Sequence, residues 1–165
     1  MSSNAKHEAP QETPAPNIIL NKILIPIDFS EHSKNALAYG VLIAKQFGAE
    51  LFLLYVVEPT VYPHDFGFGH VGMTALENEL RAKGMQELEK LIETKVAGQV
   101  NAKPLVGIGK PYEEISNFAA EENIDLIIIA TRGHTDMEQI LFGGTAEKVV
   151  RKAPCPVLTW RERNK

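Results

Sequence analysis

The run Asp125-Leu-Ile-Ile-Ile-Ala130 sets large apolar side chains at four consecutive positions of one short segment. Strand side chains alternate between two faces, so a strand of this kind has no polar face and must be covered on both sides. Two more segments share the property: Lys22-Ile-Leu-Ile-Pro-Ile27 and Glu50-Leu-Phe-Leu-Leu-Tyr-Val-Val57. A weaker strand is expected around Val100 to Val106, and a last one over Pro154-Cys-Pro-Val-Leu-Thr-Trp160.

Between the strands the apolar period lengthens to that of a helix. Ala36, Leu37, Gly40, Ile43, Ala44 and Phe47 recur at helical spacing, with Ser30 or Asp28 as the cap and Gly48 as the stop. A loop from Glu58 to about Gly72 leads into a long helix with apolar positions Leu76, Leu80, Leu88, Leu91, Ile92 and Val96. After Gly107-Ile-Gly-Lys-Pro111, Pro111 suits a first helical turn, and Ile115, Phe118 and Ala119 form the inner face of that helix. A last helix runs from Thr145 to about Lys152. Strands alternating with helices predict an α/β fold: a doubly wound, five-stranded parallel sheet with helices on both faces.

Composition narrows the function. At 165 residues and 44% hydrophobic, the chain can form one domain with a sizeable core, over residues 18–161. A net charge of −4 argues against coating a nucleic acid, and the basic cluster Arg161, Arg163 and Lys165 reads as a solvated tail over 162–165. Residues 1–17 carry three prolines and few large apolar side chains, so a disordered tail is expected. The single cysteine, Cys155, allows no internal disulfide and reads as a packing residue. With no secretory leader and no apolar run long enough for a bilayer, the chain is expected to be cytoplasmic, with no membrane partner.

His32, His64, His70 and His134 lack metal-ligand spacing and read as surface residues, and His7 lies in the tail. The segment Tyr62-Pro-His-Asp-Phe-Gly-Phe-Gly69 reads as a cover or partner surface. Neither a nucleophile with its base nor a carboxylate pair is visible, so no dedicated catalytic residue is expected.

Ligands of a doubly wound sheet sit beyond the carboxyl ends of the strands, where strand order reverses. If the first strand is central and the fourth lies beside it, that crevice is lined by Pro26-Ile-Asp28 and by the stretch Thr131 to Thr145. The second stretch holds Gly133 and, after nine intervening residues, Gly143-Gly144-Thr145 opening a helix. Glycines admit close approach of backbone, and a helix start offers N–H groups and the positive end of the dipole, so the pair forms a phosphate cradle. Asp28 across the crevice reads either as a helix cap or as an acceptor for ribose hydroxyls, and Gly143-Gly144 either as a turn or as a phosphate contact. Neither GxxxxGK[ST] nor GxGxxG is present.

The segments Ile25-Pro-Ile-Asp-Phe-Ser-Glu31, Gly109-Lys-Pro-Tyr-Glu-Glu-Ile115, Asp125-Leu-Ile-Ile-Ile-Ala-Thr-Arg-Gly133 and Gly143-Gly-Thr-Ala-Glu-Lys-Val-Val-Arg-Lys-Ala-Pro-Cys-Pro-Val-Leu158 resemble the universal stress protein family. The resemblance spans Lys22 to Trp160. It implies the adenine nucleotide alpha hydrolase-like fold with strand order 3-2-1-4-5, and a stress-response regulator that takes ATP or AMP, with or without Mg²⁺. It also implies a homodimer through the last strand, Val157 to Trp160, paired antiparallel with its copy.

The nucleotide-binding branch of that family carries Gly, two residues, Gly, nine residues, then Gly and Ser or Thr. Those positions fall here on Ala130, Gly133, Gly143 and Gly144. By resemblance, Pro26, Ile27 and Asp28 meet the base and ribose, and the strand starting at Leu51 offers backbone to the adenine. Ala130, Thr131, Gly133, His134, Gly143, Gly144 and Thr145 surround the ribose and phosphates. Apart from the resemblance, the charge of Arg132 or His134 is read as adding a charge-assisted contact. The hydroxyl missing at Gly144 is worth about 0.5–1.5 kcal/mol, roughly a two- to ten-fold loss of affinity. Two other functions stand beside this one: a nucleotide-free dimeric interaction module, and a nucleotidyl transferase of the wider fold.

Overall fold

The computed structural model describes residues 18–59, 70–132 and 143–161. Gly133, His134, the segment Tyr62–Gly69 and both expected tails lie outside the described residues.

Strands and helices alternate along the chain. β1 (Lys22–Pro26) leads to α1 (Glu31–Phe47), and β2 (Glu50–Val57) to α2 (His70–Leu91), which continues into a π-helical turn at Ile92–Val96. β3 (Ala102–Ile108), α3 (Pro111–Glu121), β4 (Leu126–Ala130), α4 (Gly144–Lys152) and β5 (Val157–Trp160) follow. All pairings are parallel, in the order β3-β2-β1-β4-β5.

Strand alternation divides the core into two layers. Ile23, Ile25, Leu51, Leu53 and Ile128 pack with Leu37, Val41, Leu88 and Leu91 under α1 and α2. Leu24, Phe52, Leu54, Ile127 and Ile129 pack with Ile115, Ala119, Ala146 and Val149 under α3 and α4. The sheet is thus covered on both sides, as its continuous apolar runs require.

Local signals set the element ends. Ser30 caps α1: its Oγ accepts from the Ser33 N–H at 3.1 Å, and Gly48 closes the helix at φ 70°. The cap is therefore Ser30, with Asp28 one step behind it.

Three expectations change. The third strand runs over Ala102–Ile108, two residues later than Val100 to Val106 and through Gly107. The last begins at Val157, because Pro154 and Pro156 have no N–H for a ladder. Leu76 and Leu80 of α2 and Phe47 of α1 are exposed instead of inward. A 22-residue helix is about 33 Å long whereas the eight-residue β2 spans about 26 Å. The helix therefore outruns the strand by about 7 Å, some five residues, and among its described side chains burial begins at Gly84 and Leu88.

Candidate functional site

The crevice begins where two central strands stop pairing. β1 and β4 share the rungs Ile23↔Leu126 and Leu24↔Ile127 only, while β1 follows β2 as far as Pro26↔Leu54 and β4 follows β5 as far as Ala130↔Trp160. Proline explains the split. The Ile27 N–H donates to the Leu54 carbonyl at 2.9 Å, so the backbone of Ile27 faces β2 and that of Pro26 faces β4, where proline has no hydrogen to give.

Beyond the split lies a cavity of about 280 Å³. It is lined by Pro26, Ile27, Asp28, Ala130, Thr131, Arg132, Gly143, Gly144 and Thr145, bringing together nine of the twelve residues that the sequence nominates. Gly133 and His134 fall outside the described residues. Leu51 is placed elsewhere: it is fully buried, opposite Ile23 at the amino end of the sheet, and its N–H is donated to the Asn101 carbonyl. The stretch of β2 at the cavity is Leu54, Tyr55 and Val56. Ser33, Pro111, Ile115, Ile129 and Ala146 complete the wall. The missing signal was level: parallel strands in register put Leu54, not Leu51, beside Pro26.

On one rim, the Asp28 carboxylate is oriented by its neighbours. Its Oδ1 accepts from the Ser30 N–H at 3.0 Å and from the Ser30 hydroxyl at 2.6 Å, while Ser30 caps α1. Phe29 between them has φ 65°, a conformation that costs a non-glycine residue about 1–3 kcal/mol unless the surroundings hold it. Here its ring packs on Tyr55 with centroids 4.8 Å apart, and both belong to the α1–α2 layer of the core.

On the other rim, α4 starts without a side-chain cap. Gly143 is its N-cap, at φ −66° and ψ 149°, and its N–H donates to the Thr131 carbonyl at 2.7 Å. A Cβ on Gly143 would lie 3.2 Å from that carbonyl oxygen, so glycine lets the two ends of the 131–143 segment close. The next N–H groups, of Gly144, Thr145 and Ala146, precede the first intrahelical donor, the Glu147 N–H that bonds to the Gly143 carbonyl, and carry the positive end of the dipole. A Cβ on Gly144 would meet nothing within 4 Å among the described residues, so they leave the mouth open there. An acidic side chain and a cradle of amide donors thus line one open, partly apolar space, an arrangement suited to a polar ligand with an anionic end.

Elsewhere the chemistry is quiet. Among the described residues, no three His, Cys, Asp or Glu gather to hold a metal ion, and no helix is long and apolar enough to cross a membrane. Cys155 is half-buried in the α3–α4 layer, and burial, with Asp125 adding to it, raises its thiol pKa above the ordinary value.

Known proteins align with this architecture along most of its length. A universal stress protein of Methanocaldococcus jannaschii is 34% identical over 148 residues, covering 89% of this chain and 85% of the relative. The universal stress protein YxiE of Bacillus subtilis is 32% identical over 148 residues, covering 87% of this chain and all of the relative. Universal stress protein UspA from Lactobacillus plantarum superposes with a TM-score of 0.74 at 26% identity, over 88% of this chain and 100% of that one. The profile described as "Universal stress protein family" matches residues 20–161, and the chain belongs to that family.

Proposed function

We propose that this chain binds an adenine nucleotide, ATP or AMP, in the cavity between β1 and β4, and that occupancy regulates a homodimeric stress-response protein. The cavity carries the proposal: Asp28 stands on one wall and the uncapped, glycine-opened start of α4 on the other. Asp28 would accept from the ribose hydroxyls, and the N–H groups of Gly144 and Thr145 would meet a phosphate. Val56, Ile115 and Ile129 give the base an apolar wall. Mg²⁺, where it accompanies the nucleotide, would supply charge neutralisation to the phosphates. Two solved universal stress proteins, one in complex with cAMP and one from Archaeoglobus fulgidus in complex with dAMP, are each 19% identical to this chain. They share its fold, and at that distance the reading for this chain rests on its own cavity.

The protein is proposed to bind, not to turn over, its nucleotide: among the described residues of the wall, no nucleophile is paired with a base. The dimer is proposed through β5. Thr131 and Ile127 donate to the carbonyls of Trp160 and Pro156, so the alternate residues Val157 and Thr159 turn their backbone groups to the open edge, where a second β5 can pair.

Denaturing the purified protein and chromatographing the extract tests the nucleotide reading. ATP or AMP near one per chain is expected. None, together with no thermal shift on adding Mg-ATP, would leave the nucleotide-free interaction module. Rapid turnover of added ATP would favour an enzyme.

A further inference from the structure

Beside the cavity, where Pro111 of its wall begins α3, the next residue carries two cations on its ring. The Lys148 Nζ lies 4.8 Å and the Lys152 Nζ 4.7 Å from the centroid of Tyr112. Both lysines are on α4, one turn apart, and Lys148 lies one turn beyond Gly144 at the cavity mouth.

The other charges nearby are already engaged. Arg151 pairs with Glu147 at 3.1 Å, and Lys110 lies 3.7 Å from Glu113, which also accepts the Tyr112 hydroxyl at 2.7 Å. That hydroxyl, more than any neighbouring cation, lowers the Glu113 pKa, with smaller contributions from Lys110 and Lys152. Glu114 turns the other way, its carboxylate against the backbone of Gly107 and Gly109. No carboxylate among the described residues lies within ion-pair distance of Lys148 or Lys152.

An aromatic face attracts an ammonium through its quadrupole but leaves the charge intact, unlike a salt bridge. The two lysines are therefore positioned without an ion pair of their own among the described residues, Lys152 lying only in the longer-range field of Glu113. Lys148 also stands one turn from the amino end of α4, and Tyr112 holds both lysines beside the amino end of α3, where the dipoles present further positive potential; Lys152 itself ends α4. The cavity, at about 280 Å³, lies just under the usual range for a drug-sized ligand and is open at Gly144, so phosphates added to a bound nucleoside monophosphate would extend toward that mouth.

We propose that Lys148, with Lys152 behind it and Tyr112 as their platform, forms an outer anion subsite that reads the terminal phosphates of a bound nucleotide and so sets a preference for triphosphate over monophosphate. The proposal rests on the nucleotide reading above and adds which phosphorylation state the protein prefers. Unlike the amides at the start of α4, which serve any phosphate, this subsite responds only to a nucleotide long enough to reach it.

The experiment is calorimetric titration of ATP, ADP and AMP, at one fixed MgCl₂ concentration, into the full chain and into Lys148→Ala, Lys148→Ala with Lys152→Ala, and Tyr112→Leu. Wild type should bind ATP more tightly than AMP. The double variant should lose about three- to ten-fold in ATP affinity, as expected for one or two charged contacts in a partly exposed site, with AMP unchanged. Tyr112→Leu should lose part of the same preference, and the ATP-to-AMP ratio of wild type should fall as salt rises. Both lysines are exposed, so circular dichroism should show intact folding. Unchanged ATP affinity in the double variant, or an equal loss for ATP and AMP, overturns the subsite while leaving the nucleotide reading in place. Failure of wild type to bind any of the three overturns both.

Discussion

At the scale of single residues, the two glycines that open α4 differ in what they permit. Gly143 abuts the Thr131 carbonyl, and a Cβ there would lie 3.2 Å away, whereas Gly144 faces open space. Gly144→Ser should therefore be accommodated without strain and return a hydroxyl to the cavity mouth. One added neutral hydrogen bond predicts a two- to ten-fold gain in nucleotide affinity, from about 0.5–1.5 kcal/mol, and titration of both proteins measures it. An unchanged affinity would mean that no phosphate lies against the start of α4. Asp28 makes a different case, because it orients the Ser30 cap as well as lining the cavity. Asp28→Ala should cost about 1 kcal/mol of stability through the weakened cap, roughly a 2–4 °C fall in Tm. Asp28→Asn keeps an acceptor oxygen for Ser30 and should hold Tm near wild type. Nucleotide titration of that variant then reads the carboxylate alone. If Asp28→Ala melts at the wild-type temperature, the Asp28–Ser30 contacts do not support α1.

At the scale of elements, what the sequence discloses depends on how many faces an element buries. β1, β2 and β4 are covered on both sides, so their apolar runs announce them, and the split between β1 and β4 is written in Pro26. α2 is less readable. Leu76 and Leu80 continue the apolar spacing of Leu88 and Leu91, yet the helix outruns the sheet and leaves them in solvent. Periodicity reports which residues share a helical face, not where the neighbouring layer ends. The same gap misplaced Leu51: a strand's identity was legible, but the level at which it meets the cavity depends on register with β1. Gly84, where α2 begins to pack, shows how tertiary contact overrides propensity. In an exposed helix Gly→Ala stabilises by about 1 kcal/mol. At Gly84 the new Cβ would stand 2.6 Å from the Tyr55 ring, and that ring already supports Phe29 in its left-handed conformation. Gly84→Ala is expected to reverse the usual sign and destabilise by about 1–3 kcal/mol, as overpacked cores do. Chemical denaturation measures it, and a more stable variant would show that α2 can lift off β2 at little cost.

At the scale of the whole molecule, the two open edges of the sheet are not equivalent. On β3, Asn101 and Gly109 bond to β2, so the alternate residues, Pro104 among them, face outward, and Pro104 removes a donor from that edge. β5 has its prolines just before the strand, at positions 154 and 156, and its outward residues Val157 and Thr159 keep both donor and acceptor. One edge is thus blunted against pairing and the other is left competent, the asymmetry expected of a chain that joins one copy of itself and stops. An isologous antiparallel contact also uses each β5 edge once, so it closes at two chains. Proline moved to the competent edge should blunt it in the same way. Thr159→Pro deletes an outward N–H without touching the bonds from β4 to Pro156 and Trp160, and an edge strand tolerates proline at such a position. Light scattering at micromolar concentration should give a dimer for wild type and a monomer for Thr159→Pro, with unchanged helical circular dichroism. A Thr159→Pro protein that stays dimeric would move the interface away from β5, and a monomeric wild type would remove the dimer.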